Sequence, residues 1–362
     1  KRNEFHQNGR MVLSLGGAQN IEPMSDYSET AVGLLEDIGL DQKALDSIAI
    51  NTPDNFVLGG KISANNAMTI PYGDSHKTVS GNWVGYFHGG KGYKEAVKKL
   101  PVPGEEQNKL IAFFGGERDF LDDLSLLEQY RYVKSVSYNQ FLVERIGLAE
   151  ETLPILGSFM SILNGAAGWN HTVLEAVVSG CPGLKAMGWV TNRLSDLAGA
   201  FVLGDTPVGY MLPDGNASVA RLLVHKLIPN VAPTMKGLED VAIAQFNYTA
   251  LDLEKNTTRL RLNSTVVGVN ETTSNYVQVD YVQKGKALRV SAKHCILACY
   301  NGLIPHLCPA MSKEQKEGLS YGVKVPFVYA NVLLKNGRAF AGLGATLTQC
   351  PYDPFKWVSA GP

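Results

Sequence analysis

Lys324 is the one charged residue in the run Tyr321-Gly322-Val323-Lys324-Val325-Pro326-Phe327-Val328-Tyr329. The run reads as a strand, and a lysine held among apolar neighbours is desolvated, a setting that suits proton handling. The competing reading is a strand-end lysine whose head reaches solvent. Gly16 and Gly17 follow the short apolar run Met11-Val12-Leu13-Ser14-Leu15. Paired glycines let a cofactor approach the backbone closely, and an ordinary turn is the alternative. Cys299 and Tyr300 close the segment Cys295-Ile296-Leu297-Ala298-Cys299-Tyr300. The unbroken apolar character of its first five residues suits a strand buried on both faces. In such a strand Cys295 and Cys299 share a face ~13 Å apart, too far for a disulfide, so both read as buried free thiols.

Other titratable residues are less pointed. The seven histidines show no metal-ligand spacing, and the five cysteines form no CxxC pair, so each histidine reads as a surface or core residue. Glu117, Asp119, Asp122, Asp123 and Glu128 can attract a polyamine, although the solvated face of a helix is the favoured reading. Six N-x-S/T sequons fall at Asn170, Asn216, Asn247, Asn256, Asn263 and Asn270, which points to a secreted chain in a glycosylating host.

These residues need a scaffold, and 362 residues suffice for one large or two medium domains. With 45% apolar and 19% charged residues the chain can bury a core. A net charge of −1 argues against a nucleic-acid partner. The longest apolar stretch, Leu153 to Trp169, is interrupted by Pro154, Ser158, Ser161 and Asn164, so no membrane span is expected. The chain starts at Lys1 without a signal-like apolar region, so the expectation is a removed leader or an internal piece of a longer protein.

The patterning predicts a strand over 11–15 and then a helix capped by Asp26, with Glu29 in the capping-box position and Gly39 as its stop. Helices are expected near 117–131 and 137–147. A further helix starts after Asn216, carries Val219, Leu222, Leu223 and Leu227 on one face, and ends at Pro229. Alternation at Val266, Val267 and Val269, at Val277, Val279 and Tyr281, and at Leu288, Val290 and Ala292 predicts a β-meander turning at Gln283–Lys286. A polar helix is expected near 312–319.

The order of these parts resembles the flavin-dependent amine oxidase superfamily, and within it the spermidine dehydrogenase-like branch. Leu15-Gly16-Gly17-Ala18 with its following helix looks like the Gly-Gly segment that contacts flavin. Ser137-Tyr138-Asn139-Gln140-Phe141-Leu142 looks like a helix start of that branch. Pro213-Asp214-Gly215-Asn216 resembles the segment that re-enters the flavin domain. Asn263–Val269 resembles the strand whose valine, here Val266, meets the adenine ring through its backbone. Leu297–Asn301 with Ile304-Pro305 resembles the strand end beside the flavin. Tyr321–Tyr329 with Asn331-Val332-Leu333-Leu334 matches the segment carrying a flavin-facing lysine, here Lys324. The family's GxGxxG turn, whose helix N-terminus holds the pyrophosphate, does not occur in residues 1–362. The resemblance is to the middle of a longer protein, without the closing flavin segment.

The resemblance implies an α/β fold: part of an FAD-binding domain over 1–40 and 206–310, and part of a mixed sheet-plus-helix substrate domain over 41–205 and 311–362. It implies FAD as cofactor, Gly16, Gly17, Val266, Cys299 and Tyr300 as cofactor-binding residues, and Lys324 as catalytic. The implied reaction oxidises an amine C–N bond by hydride transfer to flavin, on a polyamine such as spermidine, with hydrolysis of the imine to an aldehyde and a shorter amine. Haem is carried by some members of the branch. Oxygen and a carrier protein are both open as electron acceptor, and a second copy of the chain is a candidate partner. Export to the periplasm or beyond is expected. The competing expectations are a non-catalytic relative that has lost the cofactor, and a flavoenzyme of different substrate.

Overall fold

The computed structural model describes residues 2–18, 20–48, 66–157, 165, 167–178, 181–186, 210–324, 327–345 and 347–359. Its strands are β1 (Arg2–Gln7), β2 (Arg10–Leu15), β3 (Asn20–Ile21), β4 (Asn66–Tyr72), β5 (Ser75–Gly81), β6 (Tyr210–Met211), β7 (Ser264–Glu271), β8 (Val277–Gln283), β9 (Lys286–Ala292), β10 (Leu347–Gln349) and β11 (Trp357–Ser359). The chain is mixed α/β, with several small sheets and short helices. It divides into two units, one of Lys1–Val32, Gln42–Asn216 and Phe327–Pro362, the other of Gly33–Asp41 and Ala217–Pro326.

In the first unit β1 and β2 pair as an antiparallel hairpin, and β3 pairs with β6. A four-stranded sheet runs in the order β11-β10-β4-β5, with β10 parallel to β4 and the other neighbours antiparallel. Apolar residues of β4 and β5 meet a set of helices over a core built on aromatic rings. Trp83, Phe87, Phe113, Phe114, Tyr138 and Phe141 are all fully or almost fully buried. Phe87 and Phe114 meet edge-on at 5.4 Å between centroids, and Phe113 and Phe120 do so at 6.4 Å. Such pairs add about 0.5–1.5 kcal/mol each beyond their burial. Two buried polar groups of this core are paired: Trp83 Nε1 donates to the Val79 carbonyl at 2.7 Å and the Tyr138 hydroxyl to the Pro182 carbonyl at 2.7 Å.

Two local expectations are corrected here. The helix over 117–131 is displaced: residues 117–124 are turns, and the helix runs Leu126–Ser135. Ser125 and Glu128 form a capping box that fixes this later start. The helix Gly104–Gly115 was not anticipated, although Leu110, Ile111, Phe113 and Phe114 bury its apolar face. The helix after 137 matches expectation, beginning at Tyr138 with the Ser137 side chain accepting from the Gln140 N–H.

The helix Glu29–Asp37 is capped two residues later than expected. Ser28 Oγ accepts from the Ala31 N–H at 3.3 Å, while Asp26 lies in a 3-10 turn started by Pro23. Its end is a Schellman motif, with Leu40 N–H donating to the Leu35 carbonyl and Gly39 N–H to Glu36, both at 2.9 Å.

The second unit holds the helix Ala217–Leu227, ended before Pro229 as the sequence predicts, and the meander β7-β8-β9. Lys284 and Gly285 form the two-residue turn between β8 and β9, both at positive φ. The helix Lys313–Tyr321 starts at Ser312 in a capping box with Gln315. The segment 321–329 is not a strand in its described residues: that helix continues to Tyr321, and 322–324 and 327–329 are irregular and exposed. The expected strand over 295–299 is likewise absent. Residues 294–300 are irregular and largely exposed, with Ile296 at 91% exposure. A continuous apolar run becomes a strand only where neighbouring strands take up its backbone bonds, and this run has none among the described residues.

Candidate functional site

Gly16 and Gly17 leave the end of β2 at a place where several distant segments meet. The Leu15 carbonyl accepts from Asn3 Nδ2 at 3.2 Å and from Asn331 Nδ2 at 2.5 Å. The Ala18 carbonyl accepts from the Asn216 N–H at 3.0 Å. Beside it, the Arg2 guanidinium pairs with the fully buried Asp214 at 3.2 Å. Gly17 has φ +150°, a conformation strained for any residue with a side chain, and a Cβ there would meet nothing within 4 Å. The backbone at this point is therefore open to approach. Three segments far apart in the chain, around Gly16, Asp214 and Asn331, converge here.

In the second unit the structure brings two further candidates together. The Lys324 N–H donates to the Tyr300 hydroxyl at 3.2 Å. Both side chains are exposed, so the expectation of a desolvated Lys324 does not hold: its neighbours lie along an irregular segment instead of packing around it in a sheet. Cys299 is exposed rather than buried, as is Cys295, and both are free thiols. Val266 lies in β7 opposite Tyr281, and the next pair is Gly268 with Asp280, so Val267 is the extra residue of a bulge. Both valine side chains are exposed.

The acidic residues do not share a helix face. Glu117 pairs with Lys94 at 2.9 Å, Asp123 pairs with Arg145 at 2.6 Å, and the Asp119 carboxylate accepts from the Leu121 N–H at 2.8 Å. Glu128 serves its capping box, which holds its carboxyl below the ordinary value. Among the described residues no group of three or more His, Cys, Asp or Glu side chains could hold a metal ion. No described helix is long and apolar enough to cross a membrane.

One concavity was not legible in the sequence. A cleft of about 580 Å³ opens in the first unit between the helix starting at Tyr138, the turn at Gly168-Trp169 and the turn at Pro351–Lys356. Its polar lining includes Asn139, Glu144, Glu150 and Lys356, and Trp169 supplies an aromatic wall. Its residues are some 200 positions apart in the chain, so only the folded arrangement assembles them.

No protein-family model matches this chain, and no curated protein matches it. The functional reading therefore stands on residues and geometry.

Proposed function

We propose that the chain contributes part of a flavin-dependent amine oxidoreductase acting on a polyamine such as spermidine. The observation that carries the reading is the convergence of the Leu15–Ala18, Asp214–Asn216 and Asn331 segments on one open stretch of backbone at Gly17. A flavin ring needs such close main-chain approach. Residues 1–362 carry no GxGxxG turn, so they offer side walls for FAD and not its pyrophosphate anchor. When bound, FAD supplies the hydride acceptor. The candidate cofactor contacts are Gly16 and Gly17 in the first unit and Val266, Cys299 and Tyr300 in the second, where the Tyr300 hydroxyl accepts from the main-chain N–H of Lys324, the candidate catalytic residue.

The exposure of Lys324 favours a second reading, a non-catalytic relative that kept the fold and lost the cofactor. An absorbance spectrum of the natural full-length protein, before and after anaerobic spermidine, separates the two. Bands near ~370 and ~450 nm that bleach with the amine support the flavoenzyme, and slower bleaching in Lys324→Met assigns the lysine. A Soret band would add haem. A colourless folded protein overturns the reading in favour of the second.

A further inference from the structure

We propose that Asn247 is an N-glycan attachment site, the acceptor for an oligosaccharide carried on a lipid diphosphate. The inference goes beyond the flavin reading: it requires no cofactor and rests on the sequons, which that reading leaves unused. The transfer forms a bond from Asn247 Nδ2 to the anomeric carbon of the sugar and breaks that carbon's bond to the diphosphate oxygen. The lipid diphosphate leaves with the electron pair, and one Nδ2 proton passes to a base of the transferase.

The fold treats the six sequons differently. At Asn216 the side-chain oxygen is buried and Ser218 is fully buried. Asn256 is half-buried, and its Nδ2 donates to the Ala250 carbonyl at 2.8 Å, a contact that a sugar on that nitrogen would crowd. Asn270 lies half-buried within β7. Asn170 is exposed, but the Thr172 hydroxyl of its sequon donates to Glu175 at 3.0 Å. Asn263 is exposed just before β7, whose pairing holds Thr265 extended opposite Val282.

Asn247-Tyr248-Thr249 is arranged in another way. Asn247 Oδ1 accepts from the Thr249 N–H at 3.1 Å and from the Thr249 hydroxyl at 2.7 Å. This Asx turn closes within three residues, so it needs no distant contact and can form on the emerging chain. Two donors on the oxygen fix the carboxamide and leave Nδ2 uncommitted among the described residues. All three residues are exposed. The backbone behind them is pinned: the Asn247 N–H donates to the Val231 carbonyl at 2.7 Å, and the Arg221 guanidinium lies 4.0 Å from the centre of the Phe246 ring. Folding therefore keeps the acceptor nitrogen in solvent. The large apolar side chains of Ile243 and Tyr248 are exposed in the same segment, and a glycan supplies a hydrophilic cover for them.

A site map of the natural full-length protein, purified from its own source, tests this. Trypsin cuts after Lys236 and Lys255, so peptide 237–255 holds Asn247 as its one sequon, and Asn256 falls in peptide 256–259. Peptide-N-glycosidase in heavy-oxygen water turns a glycosylated asparagine into a labelled aspartate. Label at Asn247 in most copies is expected, with none at Asn216 or Asn256. Thr249→Val, made in the same host, should lose the sugar, and Thr249→Ser, which keeps the hydroxyl donor, should retain it. The site is exposed, so both variants are expected to fold, and circular dichroism verifies this. Peptide 237–255 found mainly unmodified before glycosidase, label at Asn256 equal to that at Asn247, or a glycan that survives Thr249→Val overturns the proposal. The mass map does not depend on flavin absorbance, so failure here is distinct from failure of the flavoenzyme reading.

Discussion

The Arg2 guanidinium donates Nη1–H to Oδ2 of Asp214 at 3.2 Å, joining the first strand to a turn 212 residues further on. Asp214 is fully buried, and taking away the cation beside a buried carboxylate is destabilising. Arg2→Met is therefore expected to lower the midpoint of a urea unfolding titration. Arg2→Met combined with Asp214→Asn should recover part of that loss. A single variant as stable as the natural chain would show that Asp214 is satisfied without Arg2.

The thiols should separate by access. Cys295 and Cys299 are exposed, Cys308 is half-buried, and Cys181 and Cys350 are buried. Burial, with the neighbouring Cys295 and Cys299 adding to it, raises Cys308, and burial pushes Cys181 far up. A disulfide reagent must reach the sulfur, so the exposed Cys295 and Cys299 are expected to react first. Cys181 should react only on unfolding. Counting modified sites by mass spectrometry over time checks the order, and early labelling of Cys181 would contradict the core described here.

What the sequence made legible was the locally encoded part. The helix Ala217–Leu227 has its apolar stripe and its Pro229 stop within one window, and β7-β8-β9 needs only alternation and a two-residue turn. The expected strand over 295–299 failed because an apolar run cannot state whether a neighbouring strand exists. The desolvation expected of Lys324 failed for the same reason, since it depended on a sheet around it. The pairing of β4 with β10 and the cleft beside Trp169 depend on segments far apart in the chain, and the π-helical turn at Leu142–Ile146 has no composition signal of its own.

Gly183 marks where the core tolerates least. It has φ +94°, and a Cβ there would fall on the ring of Phe113, which is fully buried. The rings of Phe114, Phe120 and Phe141 pack around it, each within 6.4 Å between centroids. Gly183→Ala combines backbone strain with overpacking, each costing about 1–3 kcal/mol. A lowered urea midpoint is expected, with Gly147→Ala as the comparison, since Gly147 also has positive φ but open space around it. Equal losses at the two positions would leave strain alone as the cause.

Glu106 gives the fold a pH dependence of known sign. It is 5% exposed, and its carboxylate accepts from Lys109 Nζ at 2.8 Å and from the Ala149 N–H at 2.9 Å. Burial pushes the carboxyl up, but the hydrogen bonds from Lys109, Ala149 and Thr152 outweigh it and hold the group below the ordinary value. A carboxyl lowered on folding contributes stability above its unfolded pKa of about 4.3. That contribution fades as pH falls through the folded value. Glu106→Gln should therefore be less stable than the natural chain at pH 7, with the gap closing as acid is added. Urea midpoints at pH 7, 5 and 3 test it: a gap that stays constant with pH would mean that the ionised carboxylate is not what Lys109 and Ala149 stabilise.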